Sequence, residues 1–157
     1  MQAPTNYLKK PVQKFRPHST RDWRMVSIYI SQIKVAHWNI KGAHFAALHP
    51  LFETFAISLA NYNDTLAERI VTLGGKAFGT VRHVANISRL PDYPQETTRD
   101  LEHVKLLSER ILKYLDGARE SRVVAEELRD TDTVDLLTQV ITEFEKNAWF
   151  LSATLVD

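Results

Sequence analysis

One histidine and three carboxylates of this sequence stand at spacings that suit a metal ion: His49, Glu53, Asp64 and Glu68. On a helix, His49/Glu53 and Asp64/Glu68 are i,i+4 pairs, so each pair converges on one ion or one hydrogen-bond network. Neutral imidazole and carboxylate oxygen together suit a divalent transition-metal ion. Glu53 and Asp64 point the same way on a helix, yet they lie about three turns apart, roughly 16 Å along the axis. One ion cannot span that gap. Two antiparallel copies of the helix, crossing near Ser58 and Leu59, would place His49/Glu53 of one chain opposite Asp64/Glu68 of the other. Such a two-fold pair carries two equal sites, and Ala56, Ser58 and Ala60 are the small residues expected at the crossing.

The segment that must position these groups runs from about Phe45 to Leu73. Leu48, Phe52, Phe55, Leu59, Tyr62, Leu66, Ile70 and Leu73 fall on one stripe about 80° wide, a core-facing seam. Pro50 interrupts it, so the regular helix is expected to begin near Ala47 or to kink beside His49. Gly74-Gly75 closes it. A preceding helix is expected from an N-cap at Ser19 or Thr20, with Trp23, Val26, Ile30, Ile33, His37 and Ile40 on its apolar stripe, to a stop at Lys41-Gly42. Taken alone, His37 on that stripe reads as a hydrogen-bonded core residue more readily than as a ligand.

A long connection over 76–97, broken by Pro91 and Pro94, holds a short amphipathic piece at Val81, Val84, Ala85 and Ile87. A third long helix runs from about Thr98 to Glu127 with Leu101, Val104, Leu107, Ile111, Tyr114, Leu115 and Ala118 inward. A fourth follows a turn and N-cap cluster at Asp130–Thr133, with Val134, Leu137, Ile141, Phe144, Ala148, Leu151 and Leu155 as its seam. The expected fold is all-α: four long helices with one long crossover that contains a short helix, the ferritin-like arrangement.

Composition agrees and excludes several classes. The chain of 157 residues supports one domain with a real core. The expected division is a flexible basic tail over residues 1–19 and a bundle domain over 20–157. With no cysteine there are no disulfides, no Cys-zinc site and no thiol catalysis. No apolar run approaches the ~18 residues that span a membrane, and the polar, proline-containing start after Met1 lacks a signal-peptide pattern, so a cytoplasmic location is expected. The net charge of +1 demands no nucleic-acid partner. The tail region nonetheless holds Lys9, Lys10, Lys14, Arg16, Arg21 and Arg24 against Asp22 alone, either a solvated end or an arm for DNA phosphates.

The stretch Ala36-His37-Trp38-Asn39-Ile40-Lys41-Gly42-Ala43-His44-Phe45-Ala46-Ala47-Leu48-His49, with Asp64-Thr65-Leu66-Ala67-Glu68-Arg69 and Leu73-Gly74-Gly75, resembles the Dps family of mini-ferritins. The resemblance covers nearly the whole chain, including Thr133–Leu137 and Trp149-Phe150. It implies a twelve-subunit hollow shell that binds two Fe²⁺ per site at dimer interfaces, oxidises them, usually with hydrogen peroxide, and stores the ferric mineral inside. By position, it implies His37, His49 and Glu53 from one chain and Asp64 and Glu68 from its two-fold mate, with Trp38 beside the iron. The family most often has aspartate where this chain has Glu53, so the carboxylate keeps its charge and reaches one methylene further. Glu68 as a bridge would hold two irons, so that peroxide takes both electrons at once. Protonation of the ligands predicts falling activity at acid pH.

Asp132 and Asp135 lie where the family lines its three-fold pores. Pro50 replaces a further acidic residue associated with mineral nucleation. His44 and His83 match no ligand position and read as surface or capping groups. The alternative functions are a shell that organises DNA around a vestigial iron site, or one that holds zinc or manganese without turnover, since the same ligands accept those ions. A larger ferritin would build its site within one bundle from paired Glu-x-x-His repeats, and Glu102-His103 does not supply them.

Overall fold

The computed structural model describes the backbone of residues 12–156 and the side chains of 25–156. Its elements, in chain order, are α1 (Val12–Asn39), α2 (Phe45–Thr72), the short α3 (Val81–Ile87), α4 (Asp100–Glu127) and α5 (Thr131–Thr154). No strand occurs among the described residues. The one non-helical ladder contact is a parallel bridge between Lys41 and Arg99. The long helices form a four-sided bundle: α1 lies on α2, α4 on α5, α1 on α4 and α2 on α5. None of these helices is long and apolar enough to cross a membrane. The expected all-α bundle with a helix-bearing crossover is the observed fold.

The seam on α2 buries Leu48, Phe52, Phe55, Leu59, Leu66, Ile70 and Leu73, with Tyr62 packed at its edge. Residues three and four apart share a helix face, and the hydrophobic effect turns that face inward. On α1 the buried line is Met25, Val26, Tyr29, Ile33, Ala36 and Ile40. Its centre is rotated from the expected stripe, so Ile30 is only partly buried and His37 stands at the margin. That margin frees His37 for chemistry, because a histidine in the middle of the seam would face only hydrocarbon.

Two boundaries differ from expectation. The backbone of α1 is already helical at Val12, well before Ser19. Residues 12–19 therefore extend the helix instead of belonging to a tail, and residues 1–11 lie outside the described ones. The stretch from Val12 to Asn39 contains no glycine, which suits an unbroken helix. Second, α2 starts at Phe45 and carries Pro50 in its interior. Proline lacks the N–H that would bond to Ala46 O, but Ala46 and Pro50 are both exposed, so water can satisfy that carbonyl.

Two glycines answer specific needs. Gly74 ends α2 with φ +72°, a left-handed conformation that suits glycine. Gly42 turns the chain between α1 and α2 with φ +144°, and a Cβ there would meet the Asp100 carboxylate at 2.4 Å. The α4–α5 turn uses Arg129 at φ 57°, after which Asp130 caps α5 by accepting from Thr133 N at 3.2 Å.

The crossover returns the chain along the full length of α2, whose 28 residues span about 42 Å. Polar contacts hold it. Gln32 Nε2 donates to Pro91 O at 2.8 Å, Tyr93 pairs with His103 Nδ1 at 2.7 Å, and the Arg110 guanidinium donates to Leu106 O and Asp92 O. Tyr29 reaches Leu107 O at 3.1 Å, and burial pushes its phenol far above the usual tyrosine value. His103 is fully buried, and burial lowers its tendency to take a proton. These bonds fix where α4 begins, directly beneath the α1–α2 turn.

Candidate metal centre

The α1–α2 turn folds His37 and His49 onto each other. Their rings stack with centroids 3.8 Å apart and planes inclined by 23°. His37 Nδ1 lies 2.8 Å from His49 O, and His49 Nδ1 lies 3.0 Å from His37 O. A carbonyl can only accept, so each Nδ1 carries the proton and donates. In the neutral ring the other nitrogen of each histidine, Nε2, is then the one that can ligate a metal. This reciprocal pairing is the most ordered feature of the site, and twelve residues of sequence separation hide it.

Glu53, one helical turn after His49, brings its Oε2 within 3.4 Å of His37 Nε2. The same oxygen accepts from Lys34 Nζ. That hydrogen bond, ahead of the charges of Lys34, His37 and His49, holds the Glu53 carboxyl below the usual carboxylate range. Trp38 is 67% exposed on the outer face, with Lys34 Nζ 5.8 Å from its ring centroid. Phe45 covers one side of His49 with centroids 5.0 Å apart.

A strut holds this corner in place. Asp100 Oδ2 accepts from His44 N and from His44 Nδ1, each at 2.9 Å, and Oδ1 accepts from Leu101 N at 2.9 Å. These bonds, the backbone bond from His44 foremost, hold the Asp100 carboxyl below its ordinary range. His44 is the N-cap residue of α2, and its ring is engaged by Asp100. Lys41 N donates to Thr98 O at 2.7 Å and Asp100 N to Lys41 O at 3.0 Å, completing the clamp. His83 likewise stands apart, with its ring edge on Phe78.

Asp64 and Glu68 lie farther along α2, both exposed, and neither forms an ion pair among the described residues. Glu68 borders a shallow hollow of Ala67, Val71, Thr72 and Ala77. Between Glu53 and Asp64 the exposed stripe holds Ile57, 55% accessible, and Ala60. The small residues expected at a helix crossing are thus partly misassigned. Ala56 is buried in its own bundle and Ser58 reaches toward Glu143 on α5, leaving Ala60 as the small outward residue. Next to Glu68, Arg69 turns away to Thr133 Oγ1 at 2.9 Å and Asp130 Oδ1 at 2.7 Å, tying α2 to the start of α5.

Among the described residues, no three His, Cys, Asp or Glu side chains of one chain close on a single point. His37, His49 and Glu53 form one group, and Asp64 and Glu68 another. Asp132 and Asp135 are exposed on one face at the start of α5, with Asp132 Oδ2 3.8 Å from Arg69. Sequence reasoning missed Lys34 and Asp100. Lys34 stands one turn before His37, a spacing visible in the sequence, but only the α1–α2 register pairs it with Glu53.

A ferritin-like domain family matches residues 24–157. The chain is 38% identical over 120 residues to a DNA protection during starvation protein of Agrobacterium fabrum, covering 76% of this chain and 74% of that one. It is 31% identical over 150 residues to DNA protection during starvation protein 2 of Bacillus anthracis, covering 94% and 99%. Among solved structures it is similar to DpsC from Streptomyces coelicolor, with a TM-score of 0.91 and 30% identity over 100% of this chain and 92% of that one. A Dps protein from Vibrio cholerae O1, described as a member of a broad superfamily of ferritin-like diiron-carboxylate proteins, gives a TM-score of 0.90 and 25% identity over 99% and 98%.

Proposed function

Because this chain belongs to the ferritin-like proteins, and within them to the Dps family, we propose that it is an iron-oxidising and iron-storing shell protein of the cytoplasm. Its sites form where two copies meet: His37, His49 and Glu53 come from one chain, Asp64 and Glu68 from the other. The observation that carries this is the His37–His49 pairing, which leaves two unprotonated imidazole nitrogens beside a carboxylate. Two nitrogens and one carboxylate serve a single ion, whereas a pair of ions needs further oxygen donors, and the two exposed carboxylates farther along α2 of the mate would supply them. The exposed Ile57, Ala60 and Val71 form the apolar stripe on which two α2 helices would pack.

Fe²⁺ is the substrate. Two ferrous ions give one electron each to hydrogen peroxide, which takes up two protons and leaves as two waters, so no hydroxyl radical is released. The ferric product then collects as mineral inside a dodecamer of two-fold dimers. Trp38, exposed beside Lys34, is placed to donate an electron when a single ion is oxidised. Asp132 and Asp135 line the pore through which iron enters. Zinc and manganese compete for the same ligands.

Complementation between variants tests the shared site. His37→Ala and Asp64→Ala assemblies should each lose peroxide-driven oxidation of Fe²⁺. If the two chains are unfolded together and reassembled at random, about a quarter of the sites regain a full ligand set. Recovery of no activity would place all ligands in one chain and overturn the reading.

A second reading, DNA contact, is favoured by the six cations at Lys9, Lys10, Lys14, Arg16, Arg21 and Arg24. Two of them, Lys9 and Lys10, precede α1, and phosphate contacts of this kind weaken steeply with salt. A chain lacking residues 1–11 should shift DNA less in a gel at low salt. Equal shifts would exclude the arm.

A further inference from the structure

The crossover is fastened to the bundle at three consecutive residues, Pro91, Asp92 and Tyr93. The first two offer backbone carbonyls to the Gln32 amide and the Arg110 guanidinium, donors that do not titrate near neutral pH. The third fastening is different, because its partner is an imidazole. Tyr93 Oη lies 2.7 Å from His103 Nδ1, and the two rings are nearly parallel, inclined by 10°. His103 is fully buried, and its Nε2 meets no acceptor among the described residues.

These contacts fix where the protons sit. Burial raises the Tyr93 phenol far above the usual tyrosine value, so Tyr93 keeps its proton and donates it. His103 Nδ1 must then accept, and the single ring proton rests on Nε2. A second proton would fill Nδ1, take the acceptor away from Tyr93 and leave a cation in a buried place. The surrounding charges are mixed. Asp100 and Glu102 on α4 favour the cation, but burial opposes it more strongly. The Arg110 guanidinium, 5.2 Å from the centre of the Tyr93 ring, adds a fixed positive charge. From α1, Tyr29 stands within reach of Tyr93 and Arg110, and its own buried phenol stays neutral.

We propose that His103 is an acid-sensitive latch on the crossover: neutral, it holds Tyr93, and protonated, it releases the strap over 88–99. The closed form takes up a proton less readily than the ordinary histidine value of 6.5 allows, so opening is accompanied by proton uptake. The latch is therefore fully closed above 6.5 and weakens as pH falls below it, until pH reaches the lower value of the closed form. The strap also carries the bonds that brace the metal centre, Lys41 N to Thr98 O and Asp100 N to Lys41 O. Release thus loosens the turn between His37 and His49 without touching either ligand. The inference needs only the fold, and it stands whichever chain supplies the iron ligands.

Hydrogen exchange in the assembled protein, read by mass spectrometry and corrected for the intrinsic rate at each pH, tests this. The reporters are the bonded amides of Leu90, Lys41 and Asp100. Between about pH 7.5 and about pH 5 their protection in the native chain should fall roughly tenfold or more, while amides in the middle of α2 and α5 keep theirs. In His103→Gln, whose amide accepts from Tyr93 but does not titrate, protection should be the same at both pH values. Tyr93→Phe should show the loosened state already at the higher pH and lose little more in acid. Unchanged protection in the native chain would overturn the proposal. So would an acid loss in His103→Gln or in Tyr93→Phe as large as that of the native chain, because the proton would then act elsewhere.

Discussion

The two ends of the outward stripe on α2 are built in opposite ways. At the N-terminal end, His37 and His49 are stacked and cross-bonded, and Glu53 is held by Lys34. At the other end, Asp64 and Glu68 stand exposed and without an ion pair among the described residues. Nitrogen donors must be held in one tautomer to be useful, which requires hydrogen bonds from the fold itself. Carboxylates need no such preparation, because they are anionic at neutral pH and present four lone-pair positions in any orientation. On the proposed reading, folding readies the first half of the site and association adds the second.

Substitution at each end breaks this comparison most sharply. Asp64→Ala and His49→Ala should both lower peroxide-driven iron oxidation about 100-fold or more, since each removes a ligand. Their effects on stability should part. Asp64→Ala leaves chain stability within about 0.5 kcal/mol, as for other exposed positions. His49→Ala removes its own bond to His37 O and the ring stack, while its backbone carbonyl still accepts from His37, and should cost about 1–3 kcal/mol. Denaturant unfolding of dissociated chains would show it, and equal losses at both ends would refute the distinction.

A smaller effect tests the strut beneath the histidine end. Asp100 touches no ligand, yet it fixes the start of α2 through His44. Asp100→Asn should cost about 1 kcal/mol at neutral pH and lower oxidation modestly, with no change in Co²⁺ stoichiometry. The pH dependence has a definite sign. The Asp100 carboxyl is lowered in the folded chain from its ordinary value of 3.8. Its contribution is therefore present above 3.8 and is lost as pH falls through the lower folded value. The stability gap between native chain and variant should be constant from pH 5 upward and close in stronger acid. A gap that persists unchanged in acid would show that the charge on Asp100 is irrelevant.

Much of the bundle was legible because periodicity is a local property. Phe52, Leu59 and Ile70 on α2, or Leu137, Phe144 and Leu151 on α5, declare a buried face from their spacing alone. The ligand types were legible for the same reason. Rotation about a helix axis was read less accurately. Ala56 and Ala60 lie only about 40° apart around the helix, so an error of tens of degrees decides which of them faces outward. The start of α1 was hidden because residues 12–19 carry no apolar period and include Pro17. Contacts between distant residues were not legible at all. The bonds from His44 to Asp100 span 56 residues, and nothing local in either segment announces the other.

The clamp between the α1–α2 turn and the start of α4 also orders events in time. His37, His49 and Glu53 all lie on one helical hairpin joined by a short turn, and such local contacts close early in folding. The Asp100 strut cannot form until the whole crossover exists. During synthesis, 56 further residues separate His44 from Asp100, a delay of roughly 3–11 s at ordinary translation rates. For those seconds a nascent chain holds its imidazole pair without its brace, and its apolar α1–α2 faces await α4 and α5. The interval in which the chain is most exposed to aggregation is thus the interval in which the crossover is being made.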